Sequence, residues 1–154
     1  MDSNIRINAL REYFEREYFE KSFEDFQNDE TFEEIEDSLF SYDGGEYLVL
    51  TDEEATKLVR ARIRDSLWTF NIDFISHYCD ALNVSNVRNE FLKMKSKLYK
   101  DCNELIYALV ENKYEQFVHD AIWTDGRGHF LSSYDGEESE IETDDGTFYV
   151  YRIN

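Results

Sequence analysis

The chain has 154 residues, with 35 Asp or Glu against 16 Lys or Arg, and its formal net charge is −19. A chain this acidic repels phosphates and anionic lipids, so direct binding to nucleic acid or to a membrane surface is not expected. Its 12 Phe, 11 Tyr and 2 Trp residues supply enough apolar surface for a folded core, which argues against disorder.

The sequence favours a cytoplasmic location. No apolar run approaches the roughly 20 residues that cross a bilayer, and the opening MDSNIRINALREYF lacks the apolar stretch of a signal peptide. Cys79 and Cys102 are too few for a disulfide framework, which fits a reducing compartment.

The acidic residues are concentrated at the two ends of the chain. The net charge is −14 over residues 1–54, +1 over residues 55–124 and −6 over residues 125–154. Acids that served only solubility would be spread along the chain, so this segregation indicates an acidic face. The length predicts a single domain, 1–154. Its expected segments are an acidic helical part (1–45), a strand plus helical core (46–124) and a β-hairpin (125–154).

The first third of the chain predicts two helices and a strand. The first helix is expected from about Ile5 to about Phe26, because its aromatic residues recur at helical spacing. The second is expected from about Thr31 to Phe40, with Glu33, Glu34, Glu36 and Asp37 opposite an apolar stripe. Residues 46–50 then alternate as a short strand after the Asp43-Gly44-Gly45 turn.

The rest of the chain predicts two long helices and two strands. Thr51 and Glu54 form a capping box that begins a helix reaching about Leu82, with a kink near Asn71. A fourth helix is expected from about Asn86 to Phe117. Strands are expected at 129–134 and 147–153, on either side of an acidic loop at 135–146. The predicted class is α+β, a helical N-terminal and central part packed on a small antiparallel sheet of about three strands.

One segment has the composition of a catalytic turn. In Asp125-Gly126-Arg127-Gly128-His129, backbone amides beside the glycines could meet a phosphate and His129 could move a proton. The same residues are also typical of a simple turn from a helix to a strand. No nucleophile or second histidine accompanies them, so we predict no catalytic residue.

A metal site is not expected either. His77, Cys79, Cys102 and His119 do not have the paired, closely spaced ligands of a zinc site. The acidic stretches also lack the calcium-loop pattern. The sequence therefore predicts neither a metal nor another cofactor.

The remaining signal is the acidic N-terminal part. Two adjoining helices with this load would present carboxylates over about one turn of DNA, and so could occupy the basic groove of a nucleic-acid-binding protein. Interleaved Tyr and Phe side chains would add apolar anchors. The predicted partner-binding residues are Glu12, Glu15, Glu17, Glu20, Glu24, Asp25, Asp29, Glu30, Glu33, Glu34, Glu36 and Asp37.

In size, acidity and the lack of a catalytic signature, the chain resembles the small anti-defence proteins of phages and mobile elements. These include anti-CRISPR and anti-restriction proteins, several of which mimic DNA. The segments YLVLTDEEATKLVRARIRDSLWTFN (47–71) and DGRGHFLSSYDGEE (125–138) are similar to stretches of phage-type proteins. The resemblance implies a non-enzymatic inhibitor of a CRISPR effector or restriction enzyme, acting in the host cytoplasm.

Two other functions are consistent with the same sequence. The chain could be an acidic adaptor for an unrelated protein, or a small-ligand binder or enzyme that uses the Asp125–His129 turn. The oligomeric state is open, with a homodimer as one alternative. A steep loss of partner affinity with salt would favour the inhibitor, because clustered charge contacts are screened over about 10 Å at 0.1 M.

Overall fold

The computed structural model describes residues 3–19, 22–23 and 26–154. Its helices are α1 (Ser3–Glu17), α2 (Asp52–Asp65), α3 (Ile72–Ser76), α4 (Ser85–Leu98), α5 (Asn103–Val110) and α6 (Tyr114–Leu131). Its strands are β1 (Glu33–Glu36), β2 (Leu39–Tyr42), β3 (Gly45–Leu50), β4 (Ser139–Thr143) and β5 (Gly146–Arg152). The predicted α+β class is confirmed, although the sheet has five strands rather than about three.

All neighbouring strands of the sheet are antiparallel, in the order β1-β2-β3-β5-β4. Strands β1 and β4 are therefore its two edges. Helix α1 contributes Leu10 and Phe14 to a core that also contains Phe40, Val49 and Phe148 from the strands. Burial of these side chains provides the main driving force for the packing of α1 on the sheet.

The chain forms two compact units. The sheet unit comprises residues 1–59 and 127–154, and the helical unit comprises residues 60–126. Aromatic rings fill part of the helical unit, where Phe74 and Tyr78 contact Phe117 with ring centroids 4.9 and 5.0 Å apart. The single-domain description of residues 1–154 stays a prediction.

The predicted helix from Thr31 to Phe40 is wrong, because these residues form the hairpin of β1 and β2. Asp37 and Ser38 make its two-residue turn, and Glu36 is paired with Leu39. In a helix, acids three or four residues apart would lie on one face and repel each other. A strand instead places successive side chains on opposite faces. Phe40 is completely buried, opposite Tyr47 of β3, which fixes the register of the hairpin.

The predicted long helices are interrupted. Helix α1 ends at Glu17. If it continued to Phe26, the rings of Phe14 and Phe26 would be about 18 Å apart along the helix axis. The two ring centroids instead lie 5.8 Å apart. The helix expected to reach Leu82 ends at Asp65, and Asn71 accepts a hydrogen bond from the Phe74 amide to begin α3.

The helix expected from Asn86 to Phe117 is also divided, into α4, α5 and the first turn of α6. Tyr99 has a φ of 49° immediately after α4, a conformation that cannot continue a right-handed helix. An apolar stripe with helical spacing therefore predicted the helical residues but not this break in the backbone.

The predicted strand at 129–134 is wrong, because α6 continues to Leu131. The Ser132 amide donates to the Gly128 carbonyl at 2.8 Å, which extends helical bonding past His129. The expected loop at 135–146 contains a strand, β4. The expected strand from Thr147 is confirmed as β5.

A partly buried ion pair joins α1 to β3 and α2. Arg6 is only 3% exposed, and its guanidinium donates to both carboxylate oxygens of Glu54, at 2.6 and 2.9 Å. The same guanidinium donates to the Val49 carbonyl at 2.6 Å. Glu54 also accepts from the Thr51 amide at 2.9 Å, so the predicted capping box is confirmed.

Candidate acidic binding surface

The negative charge belongs almost entirely to one unit. The sheet unit contains 25 acidic and 7 basic residues, a net charge of −18, whereas the helical unit has 10 acidic and 9 basic residues, a net charge of −1. The charges in the sheet unit thus create a strong negative potential, which attracts cationic surfaces and repels anionic ones.

The hairpin of β1 and β2 presents four of the predicted residues together. Glu33, Glu34 and Glu36 lie on the edge strand β1, where every residue is exposed, and Asp37 lies in the exposed turn that follows. Among the described residues, no Lys, Arg or His nitrogen lies within 4.0 Å of these four carboxylates. Within the part of the chain that the structure describes, these four charges therefore have no cationic partner, and their side chains are exposed to a binding partner. We call residues 33–37 the acidic hairpin.

The acidic hairpin carries a high density of negative charge along the edge of the sheet. Residues of an extended strand advance by about 3.3 Å, and each strand of B-DNA carries one phosphate per about 3.4 Å of axis. Four of the five residues 33–37 are acidic. Counted over both faces, the axial charge density of residues 33–37 is of the same order as that of one DNA strand, but successive side chains of β1 point to opposite faces, so each face carries about half of it.

The loop before β1 adds a fixed charge. The Asp29 carboxylate accepts hydrogen bonds from the backbone amide of Thr31 at 2.9 Å and from its hydroxyl at 2.8 Å. These bonds hold the pKa of Asp29 below its ordinary value. Asp29 and its exposed neighbour Glu30 thus extend the negative surface next to the acidic hairpin.

The predicted residues of the first helix do not join the acidic hairpin. Glu12, Glu15 and Glu17 lie on α1, which contacts β3, β5 and β4, whereas the hairpin is at the other edge of the sheet. Glu15 also lies 4.0 Å from the Arg11 guanidinium. Glu20, Glu24 and Asp25 lie outside the described residues. The expected surface of two adjoining acidic helices is therefore wrong for the part of the chain that the structure describes.

A second acidic surface lies between α1 and β4. Glu12 and Arg16 of α1 line an open groove of about 650 Å³ with Glu138 and with β4 residues that include Glu140 and Glu142. The Arg16 guanidinium donates to the Glu140 carbonyl at 3.0 Å. Sequence reasoning missed these β4 acids because it treated 135–146 as a loop. The alternation around Ile141, which is 4% exposed, could have revealed the strand.

The two acidic surfaces lie on opposite edges of the sheet. Four inter-strand spacings separate β1 from β4, and at about 4.8 Å each the edges are about 19 Å apart. Charged side chains on edge strands also prevent unwanted pairing with other chains. Protection of the edges explains why both edges carry acids, but not why the charge on β1 is so dense.

The Asp125–His129 segment is occupied by structural contacts. Gly126 has a φ of 78° and interrupts α6. The Arg127 guanidinium is 12% exposed, pairs with Asp52 at 2.7 Å and with Glu138 at 2.8 Å, and lies 4.3 Å from the Tyr149 ring centroid. These contacts engage the only cation of the motif.

The backbone around Gly128 leaves no room for a side chain. Replacement of this glycine is therefore expected to destabilise the protein. A β-carbon here would approach the backbone of Gly136 and come within 2.7 Å of the Glu137 carbonyl carbon. Ala normally stabilises a helix by about 1 kcal/mol relative to Gly. We expect Gly128→Ala to lower the free energy of unfolding by about 1–3 kcal/mol instead, because the backbone must move. Urea unfolding tests this, with Asn89→Ala at an exposed position of α4 as the control.

Among the described residues, no group of three or more His, Cys, Asp and Glu is arranged to hold a metal ion. None of the described helices is both long enough and apolar enough to cross a membrane. Comparison of the chain with protein families, curated proteins and solved structures found no match.

Proposed function

We propose that this protein inhibits a host defence protein by occupying its basic, nucleic-acid-binding surface. The observation that supports this best is the acidic hairpin, in which four of five consecutive residues carry exposed carboxylates that have no cationic partner among the described residues. The partner is a CRISPR effector or restriction enzyme, whose Lys and Arg side chains bind the carboxylates in place of DNA phosphates. The inhibitor acts by occupancy and performs no reaction.

The physical basis of the inhibition is electrostatic attraction. A net charge of −18 in the sheet unit attracts a basic groove over long range and increases the association rate. Dissociation depends on close contacts, for which charge alone is insufficient. Among the rings of the first predicted helix, Tyr13 and Phe14 pack inward, while Tyr18 and Phe19 are 45% and 83% exposed. Tyr18 and Phe19 are therefore the anchors that α1 and its C-terminal turn offer to a partner.

Competition with duplex DNA tests this function directly. Purified CRISPR effectors and restriction enzymes are mixed with labelled target DNA and increasing amounts of the protein. We expect one of them to lose DNA binding in proportion to the protein added, and excess duplex DNA to restore the signal. Mutual exclusion follows because one basic surface cannot hold both polyanions at once.

A neutralised variant separates the acidic hairpin from overall charge. Its substitutions are Glu33→Gln, Glu34→Gln, Glu36→Gln and Asp37→Asn. The matched control removes four exposed acids from the helical unit, through Asp65→Asn, Asp101→Asn, Glu111→Gln and Asp125→Asn. We expect the hairpin variant to lose inhibition and the control to keep it. A partner that binds the protein and DNA simultaneously would instead identify an acidic adaptor.

A further inference from the structure

A small pocket in the sheet unit is walled by aromatic rings. Its volume is about 140 Å³, and its aromatic lining residues in the described part of the chain are Phe14, Tyr18, Phe23, Tyr42 and Tyr47. The ring centroid of Phe14 lies 5.0 Å from those of Tyr42 and Tyr47 and 5.5 Å from that of Phe23. Because an apolar cavity of about 150 Å³ can hold benzene, this pocket has the size and the lining for one aromatic ring of a ligand.

Tyr47 brings a buried hydroxyl to the pocket. The residue is only 4% exposed, and its hydroxyl forms no hydrogen bond with another described residue. Burial raises the pKa of this hydroxyl, while among the nearby charges Arg152 lowers it and Asp43 raises it. Buried polar groups normally have a hydrogen-bond partner, so this hydroxyl indicates that a polar group of a ligand belongs in the pocket.

Arg152 supplies a positive charge to the same pocket. It lies opposite Tyr47 in the pairing of β5 with β3, and its Cζ atom is 3.7 Å from the Tyr134 ring centroid. Its Nε donates to the main-chain oxygen of Asn154 at 2.7 Å. No Asp or Glu carboxylate in the described ranges lies within 4.0 Å of this guanidinium. Its two Nη groups can therefore donate to a ligand carboxylate.

Asp43 supplies the opposite charge. It is exposed, lies in the turn after β2 and lines the pocket together with Arg152. The two residues do not form an ion pair with each other, and Asp43 has no other cation within 4.0 Å among the residues that the structure describes. The charge of the sheet unit repels an anionic ligand, and Arg152 repels a cationic one. A zwitterion has no net charge and can pair with both residues.

We propose that this pocket binds a free aromatic amino acid. The ring of the ligand lies among the aromatic side chains, its carboxylate accepts hydrogen bonds from Arg152 and from the Tyr47 hydroxyl, and its ammonium group donates to Asp43. The described lining residues do not include any residue of the acidic hairpin. Binding of the amino acid is therefore independent of the proposed inhibition.

NMR titrations of the full chain with L-phenylalanine and two truncated analogues test the proposal. We expect L-phenylalanine to bind with a dissociation constant below about 1 mM. The analogues 3-phenylpropionate, which lacks the ammonium group, and phenethylamine, which lacks the carboxylate, should each bind at least about tenfold more weakly.

Two charge variants assign the groups of the ligand to their partners. Arg152→Gln should weaken L-phenylalanine binding by at least about tenfold but should not weaken binding of phenethylamine. Asp43→Asn should likewise weaken L-phenylalanine binding but not that of 3-phenylpropionate. Asn suits position 43, because Asp43 has a φ of 47° and Asn readily adopts this conformation. Retained binding of the truncated ligand verifies in each case that the pocket is folded.

Control variants and a blocked ligand complete the test. Arg62→Gln and Asp144→Asn remove exposed charges that do not line the pocket, and should leave L-phenylalanine binding unchanged. The neutralised acidic-hairpin variant should also bind it normally, so this proposal and the proposed function can fail separately. N-acetyl-L-phenylalanine amide mimics a residue within a protein chain, and equal binding of this compound would overturn the proposal in favour of a protein side chain as the occupant. Absence of chemical-shift changes at about 10 mM L-phenylalanine would also overturn it.

Discussion

The Glu54→Gln variant is expected to unfold with a free energy about 2–4 kcal/mol lower than that of the wild type. The substitution leaves the Arg6 guanidinium buried, with a neutral amide in place of the carboxylate and with the Val49 carbonyl as its other acceptor among the described residues. Removing one partner of a buried ion pair typically costs 3–5 kcal/mol, and the expected value is lower because Glu54 is 41% exposed. Gln retains the capping geometry at the start of α2, so the loss reports mainly on charge.

The effect should depend on pH in a defined direction. The hydrogen bonds from Arg6, followed by those from Thr51, hold the pKa of Glu54 at about 2 in the folded protein, against an ordinary value of 4.5. A lowered folded-state pKa stabilises the protein above the unfolded-state pKa, and that contribution is lost as pH falls. The stability difference between wild type and Glu54→Gln should therefore be constant above about pH 5.5 and shrink from about pH 4.5 to about pH 2.

Urea unfolding of both proteins across this pH range measures the difference. Protonation of the other carboxylates relieves self-repulsion in both chains alike, so the comparison isolates Glu54. Glu53→Gln, in the same helical turn and exposed, is the control and should change stability by less than about 0.5 kcal/mol. The double variant Arg6→Met/Glu54→Gln should cost less than the sum of the single variants. Additive losses would show that the ion pair does not couple α1 to α2.

Sequence patterns predicted the elements that short-range rules determine. Strand β3, strand β5 and the Thr51–Glu54 capping box needed only alternation, a glycine turn and the spacing of two side chains. The helical unit was also expected to be helical, because its apolar residues recur at helical intervals. Its interruptions could not be predicted, since they depend on contacts between distant residues. One example is the Asn103 side chain, which accepts from the Trp68 amide at 2.8 Å just after α2 ends.

The candidate site was predicted in composition but not in geometry. The residues 29–37 were identified by their charge, yet Phe32, Ile35 and Phe40 have spacings that also fit a helix. The pairing of β2 with β3 stabilises the hairpin rather than a helix. This pairing involves residues outside 31–40, so the sequence pattern of 31–40 alone could not predict it. The second acidic surface was missed for the same reason, because Glu140 and Glu142 approach α1 only after β4 pairs with β5.

The largest effect on function is expected from charge reversal in the acidic hairpin. Replacing Glu33, Glu34, Glu36 and Asp37 by Lys should weaken binding to the inhibited partner by about 100-fold to 1,000-fold at about 0.1 M salt. Each reversal removes one attraction and adds one repulsion, and most of the loss should be in the association rate. The fold should persist, because all four side chains are exposed and Lys is well tolerated on an edge strand.

The salt dependence of binding and a charge-matched control variant distinguish binding through the acidic hairpin from attraction by the net charge of the whole chain. The slope of the logarithm of the binding constant against the logarithm of salt concentration should become shallower in the hairpin variant, because fewer charged contacts remain to be screened. The matched control reverses Asp65, Asp101, Glu111 and Asp125, which changes the net charge of the chain equally. It should weaken binding by less than about tenfold, since these acids are not part of the acidic hairpin and their reversal changes only the overall charge.

A third variant, Glu140→Lys/Glu142→Lys, measures the contribution of the second acidic surface. If the basic groove of the partner receives only the acidic hairpin, this variant should bind almost as well as the wild type, because the two edges are about 19 Å apart and the Debye length at 0.1 M is about 10 Å. Comparable losses from the β1 and β4 reversals would mean that the partner spans both edges of the sheet. Equal losses from the hairpin variant and the helical-unit control would contradict the proposed function, because total charge alone would then account for binding.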